Sequence, residues 1–131
     1  MKRYWDTSAL LNAFWDSRIE KLSREPDQWT RSHTLAEMFS TLTGGRLGFQ
    51  FHPADAAEIV RELTDQINFV ELTAAELQTA LDEAEKRGVR GGRVHDWLHV
   101  QAAKKAGVEK LFTENFADFS GLEEGFVVTA P

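Results

Sequence analysis

Apolar residues recur along this chain at two spacings. Short runs mixing apolar and β-branched residues predict strands at Tyr4-Trp5, Gln28-Trp29-Thr30-Arg31-Ser32, Phe69-Val70-Glu71-Leu72, Lys110-Leu111-Phe112-Thr113 and Phe126-Val127-Val128-Thr129. Between them the apolar positions repeat every three or four residues, which predicts helices. One begins at Thr7-Ser8 and carries Ala9, Leu10, Leu11, Ala13 and Phe14; the next runs from Thr34 through Leu35, Met38, Phe39 and Leu42 to Gly44-Gly45. A third covers roughly residues 54 to 66, with Ile59, Val60, Leu63 and Ile67 on one side. The fourth opens on the capping-box sequence Thr73-Ala74-Ala75-Glu76 and ends near Gly88, where a glycine-rich connector follows. The last places Val94, Leu98, Ala102 and Ala106 four residues apart beside Trp97 and closes at Gly107. Strands alternating with helices imply right-handed parallel crossovers. The expected fold is α/β, three layers of helix, sheet and helix around a central, mainly parallel sheet.

Composition narrows the class. The 131 residues, 42% of them hydrophobic, suit one domain with one real core spanning 1–131. No run of about 18 apolar residues occurs, and the N-terminus has no apolar signal region, so the chain reads as soluble and cytoplasmic, without a membrane partner. Cysteine is absent, which excludes a disulfide frame, a thiolate zinc site and a cysteine nucleophile. A metal would have to be held by oxygen or imidazole, a preference that favours Mg2+ or Mn2+. The net charge of -6 argues against diffuse affinity for phosphate backbones. Its distribution qualifies that: residues 86 to 110 hold seven basic side chains against two acidic ones. Such a run is ordinarily a solvated face, yet beside a cluster of acids it also suits a metal-dependent phosphodiesterase.

Four acids lie next to predicted element ends. Asp6 closes the first strand, Glu37 and Asp96 fall in the opening turns of two helices, and Asp118 follows a strand. Ligands in open parallel sheets bind beyond the carboxyl ends of strands, where helix N-termini also converge. All four acids can meet there. Crowded carboxylates raise one another's pKa, a strain that a bound dication relieves, and that ion would activate water for attack at phosphorus. Each acid also has an ordinary structural reading. Asp6 can cap the following helix, Glu37 can complete a capping box with Thr34, and Asp96 is a common type of first-turn aspartate. His99, one turn beyond Asp96, reads either as a phosphate contact or as a partly buried helical histidine.

Taken in order, Tyr4-Trp5-Asp6-Thr7-Ser8-Ala9-Leu10, Thr34-Leu35-Ala36-Glu37, the stretch from Val94-His95-Asp96-Trp97 to Gly107, and Leu111-Phe112-Thr113-Glu114-Asn115-Phe116-Ala117-Asp118-Phe119 resemble the motifs of PIN-domain ribonucleases. The likeness is nearest to the VapC-like toxins of toxin-antitoxin pairs and spans essentially the whole chain. It implies a metal-dependent endoribonuclease with Asp6, Glu37, Asp96 and Asp118 as catalytic and metal-binding acids. Ser8 would orient Asp6 or a water, while Thr113 and Asn115 would shape the cleft. Family members place the last acid at either of two sites, held here by Asn115 and Asp118, and Asp118 is the favoured one. Arg46 and Arg93 are candidates for RNA phosphate contacts.

The resemblance also implies a small antitoxin and a homodimer as partners. Surplus aromatics, among them Trp5, Phe14, Trp15, Phe39, Phe49 and Phe51, are candidates for such an interface, with Phe49-Gln50-Phe51 the best candidate for an exposed pair. A housekeeping RNA-processing nuclease and a noncatalytic PIN-like binding module are the alternatives. A phosphohydrolase with a nucleophilic aspartate fits poorly, because Ser8 stands where its second aspartate belongs.

Overall fold

Alternation within two central strands decides which side chain enters which half of the core. In the computed structural model, which describes residues 1–131, the strands are Arg3–Trp5 (β1), Gln28–Arg31 (β2), Asn68–Val70 (β3), Lys110–Phe112 (β4) and Val127–Thr129 (β5). Tyr4 and Leu111 point to one face, Trp5 and Phe112 to the other, as the two-residue period of a strand requires. The helices are Thr7–Trp15 (α1), Ser17–Ser23 (α2), His33–Thr43 (α3), Pro53–Thr64 (α4), Ala74–Asp82 (α5) and Arg93–Ala106 (α6). Trp97, Val100 and Ala103 of α6 and Ala80 of α5 join Tyr4 and Leu111. Leu10 of α1, Met38 and Leu42 of α3, and Val60 and Leu63 of α4 join Trp5 and Phe112. The result is the expected three-layer α/β sandwich, and its sheet is wholly parallel.

Strand order is β3-β2-β1-β4-β5. The chain winds outward from β1 in one direction and, from β4 on, in the other, so the switch point lies between β1 and β4. Both strands end there together, with Trp5 opposite Phe112 and the Asp6 N–H donating to the Phe112 carbonyl at 3.1 Å. A crevice outside the carboxyl ends of these strands is where such a fold places its ligand.

Buried polar groups at this junction are paired. Trp5 Nε1 donates to the Gln28 side-chain oxygen at 2.6 Å, and the Thr30 hydroxyl donates to the Trp5 carbonyl at 2.8 Å. Thr30 also pairs with the Thr34 hydroxyl at 2.9 Å. That contact explains one departure from expectation. Thr34 was expected to begin α3 and form a capping box with Glu37, but its hydroxyl is buried against the sheet, the helix begins at His33, and no side chain caps it. Glu37 therefore stands in the second turn of α3, on a cleft rather than in a cap.

Most other helix ends follow their sequence cues more closely; α5 is the exception, ending at Asp82 rather than near Gly88, with a separate 3-10 turn Glu85–Arg87 before that glycine. Asp6 caps α1 by accepting from Ala9 N–H at 2.9 Å, and Thr73 and Glu76 complete the capping box of α5. Gly107 ends α6 with φ 71°, a left-handed conformation that suits glycine. Helix α2, which no periodicity announced, adds Ile19 and Leu22 to the edge of the second half-core. The region of Asp118 is a short 3-10 turn, Phe116–Phe119, placed between β4 and β5. No helix is long and apolar enough to cross a membrane.

Candidate active site

Three of the four acids line one open cleft of about 570 Å³ at the switch point, together with Thr7, Ser8, Asn12, Arg46, His99, Glu114 and Asn115. Asp6 is supplied by the end of β1, Glu37 by α3 and Asp96 by the first turn of α6. Ser8 Oγ donates to Asp6 Oδ1 at 2.8 Å and accepts from Glu114 N–H at 3.0 Å, so one hydroxyl ties the first acid to the loop after β4. Thr113, fully buried, lies 3.4 Å from Ser8 Oγ and accepts from Asn115 N–H at 3.0 Å. Asn12 donates to Glu114 at 2.7 Å. Capping and site-building thus coincide at Asp6.

Charge is concentrated here. Burial pushes the Asp6 carboxyl above the usual range, against the opposing pull of His99 and of hydrogen bonds from Thr113, Ala9 and Ser8. Asp96 is pushed up to about 6, first by burial, then by the negative charges of Asp118, Asp6 and Glu37. Glu37 goes the other way: burial disfavours its charge, but the hydrogen bonds from His99 and Thr7 and the nearby imidazoles outweigh that and hold it low. Asp118 thus acts on the site through Asp96, although its own side chain is exposed and does not line the cleft.

This electrostatic strain has a measurable sign. Because the folded pKa of Asp96, about 6, exceeds its ordinary 3.8, the folded state holds the proton more tightly. The stabilisation is present below the ordinary value and is lost as pH rises through about 6. Metal-free Asp96→Asn should therefore gain on wild type as pH rises, melting higher above neutrality by about 3 °C. That corresponds to ~1 kcal/mol once the shift is discounted for solvent screening at a half-buried group. Thermal melts of both proteins in a chelator across the acid-to-neutral range check this; parallel curves would contradict it.

The donor set suits a hard dication: every acid offers oxygen, and Arg46 is the single lysine or arginine on the cleft wall. No three of the acidic and imidazole side chains are drawn together into a ready-made cage. Magnesium and manganese do not require one, since they retain several waters and are commonly held by one or two carboxylates. Asp6, Glu37 and Asp96 are the residues that would hold it, with Asp118 contributing charge from the rim.

The remaining sequence candidates divide. Arg46 and Asn115 line the cleft. Arg93 instead donates to the carbonyls of Asp118, Gly88 and Ser120, which fastens the 3-10 turn to the start of α6. Much of the basic run is similarly committed, Arg87 and Lys104 to Glu124 and Lys105 to Glu76. Among the cleft residues that carried no site expectation are Thr7, which donates to Glu37 at 3.1 Å, Asn12, Thr41 and Glu114. Thr7 and Asn12 sit on α1 beside Ser8 and Leu11 at helical spacing, a pattern that could have found them.

An all-parallel five-stranded sheet between helical layers, with acids at the β1–β4 switch point, defines a PIN-like fold. Solved structures that share it include PAE2754 from Pyrobaculum aerophilum, with TM-score 0.69 and 16% identity over 98% of this chain and 89% of that one, and VapBC-1 from nontypeable Haemophilus influenzae, with TM-score 0.67 and 16% identity over 99% and 98%. Sequence comparison finds no matching family model and no matching curated protein. At such identity the shared property is the fold.

Proposed function

We propose that this chain is a Mg2+- or Mn2+-dependent endoribonuclease, a hydrolase of RNA phosphodiester bonds, and the toxin of a toxin-antitoxin pair. One observation carries the reading: the fold gathers Asp6, Glu37 and Asp96 into one cleft at the switch point, at the cost of a raised Asp96 pKa, and supplies a single arginine there. A dication bound by these acids would polarise the phosphoryl oxygen and activate water. The chain's own residues do the rest. Ser8 and Ala9 N–H fix the Asp6 carboxylate, Thr7 and His99 fix Glu37, and Arg46, on the cleft wall, would take an RNA phosphate. A neighbouring depression shares Glu37, Thr41 and Arg46 and adds the stacked rings of His33 and His95, so a strand of RNA running that way would meet an arginine and two aromatic faces.

The toxin assignment rests on the VapC-like motifs and on a fold shared with VapBC-1. Its partners would be a small antitoxin and a second copy of the chain in a cytoplasmic complex. Phe14, Trp15, Phe49 and Phe51 form an edge-to-face cluster, with Trp15 55% and Phe49 37% exposed. Because Trp15 also reaches the cleft wall, a segment covering this cluster would come up against the acids.

Induction of the wild type beside Asp96→Asn, followed by sequencing of RNA 5′ ends, tests the reading. The expected result is growth arrest and new 5′ ends with wild type only, both relieved by co-expression of a small antitoxin, should one be encoded beside it. Cleavage without arrest would favour RNA processing, and neither effect would favour a binding module.

A further inference from the structure

We infer that His99 is a positioning residue for Glu37, held by Tyr4 so that one Glu37 carboxylate oxygen is engaged and the other is left for the cleft, where a dication would be held; on the metal-nuclease reading above, this makes a buried histidine part of the metal site's support. His99 is 2% exposed and Tyr4 fully buried, so water competes little with the contacts between them. The Tyr4 hydroxyl lies 2.7 Å from His99 Nδ1, and His99 Nε2 lies 3.0 Å from Glu37 Oε1. The rings of Tyr4 and His99 also meet edge to face at 5.7 Å. A carboxylate only accepts hydrogen bonds, so Nε2 must carry a proton. Nδ1 is then engaged by the one hydroxyl available to it, and the ring cannot turn without breaking both contacts.

The consequence falls on Glu37. Thr7 also donates to Oε1, at 3.1 Å, so both protein donors converge on one oxygen and Oε2 is left without a protein hydrogen bond. Glu37 is thereby fixed as a one-oxygen donor toward the cleft it lines. The chain of contacts also joins three elements: Tyr4 stands two residues before Asp6 on β1, His99 one turn after Asp96 on α6, and Glu37 on α3. A shared support of this kind orients ligands that arrive from separate elements, and losing such outer partners commonly costs 10–100-fold in metal affinity.

Mn2+ binding to the full chain, followed by the paramagnetic signal of free Mn2+, tests this with the metal alone and no RNA. His99→Leu should weaken binding by about 10-fold or more, and His99→Gln, whose amide N–H can replace Nε2–H, should recover most of it. Tyr4→Phe, which keeps the ring and removes the hydroxyl, should weaken binding by about threefold or more, and decides the matter if His99→Leu does not fold. Nitrogen NMR of the metal-free protein should show a protonated Nε2 on His99. Wild-type affinity in a folded His99→Leu or in Tyr4→Phe, a His99→Gln as weak as His99→Leu, or an unprotonated Nε2 would each overturn the positioning role while Asp6→Asn still lost the metal. Equal binding by wild type and Asp6→Asn, or none by wild type, would overturn the metal-nuclease reading itself.

Discussion

Asp6→Asn should lower RNA cleavage by about 10³-fold or more while leaving the fold intact. Asparagine caps a helix as well as aspartate does, so α1 keeps its first turn, and the amide oxygen can still accept from Ser8 Oγ and Ala9 N–H. Only the charge is lost. Because that charge sits almost wholly out of water and against its own desolvation penalty, the metal-free variant should melt no lower than wild type. Saturating Mn2+ should then separate them: an ion at 100 times its Kd stabilises wild type by about 2.7 kcal/mol and should leave Asp6→Asn nearly unmoved. Cleavage assays and melts on the same two samples decide between a lost ligand and a damaged fold.

Trp5→Ala should cost about 3–5 kcal/mol, a large share of the 5–15 kcal/mol that stabilises an ordinary domain. Trp5 is fully buried, packs edge to face on Phe112 with centroids 4.9 Å apart, and donates its indole N–H to the buried Gln28 side-chain oxygen. Its removal leaves a cavity between the sheet and α1, α3 and α4 and strands the buried Gln28 oxygen, which accounts for about 1–3 kcal/mol of that loss. Urea titration should show a sharply lower midpoint, with an accompanying loss of cleavage because Asp6 is the next residue. Trp15→Ala is the matched control: at 55% exposure it should change stability by less than about 0.5 kcal/mol. Equal midpoints for the two variants would contradict the placement of the core.

These effects also mark what could be read in the residues alone. Asp6, α1, α5 and α6 were legible because their determinants are local: a capping side chain within three residues, an apolar repeat and a terminal glycine. Asp6, Glu37 and Asp96 were legible as a set because strand ends and early helical turns converge in an alternating fold. What stayed hidden depended on partners far along the chain. Thr34 looked like a cap until Thr30 of the neighbouring strand took its hydroxyl. Arg93 looked free until the carbonyls of Asp118 and Ser120 folded back onto it, 25 and 27 residues away. His99 could not be assigned because its determinant, Tyr4, lies 95 residues upstream. Asp118 took an intermediate position. Its charge reaches Asp96, yet the cleft wall nearest the loop after β4 is made by Glu114 and Asn115. The seven basic residues between 86 and 110 overstated the cleft's positive charge, since salt bridges and carbonyls engage Arg87, Arg93, Lys104 and Lys105 elsewhere.

The central claim, that the carboxylates of this cleft cut RNA through a bound dication, is tested most directly by incubating metal-stripped wild type with end-labelled RNA. The assay is run in EDTA, then after adding back Mg2+ or Mn2+, with Asp6→Asn alongside. No cleavage in EDTA, full cleavage on adding either ion and none from Asp6→Asn is the predicted result. Cleavage at an undiminished rate in EDTA would contradict it.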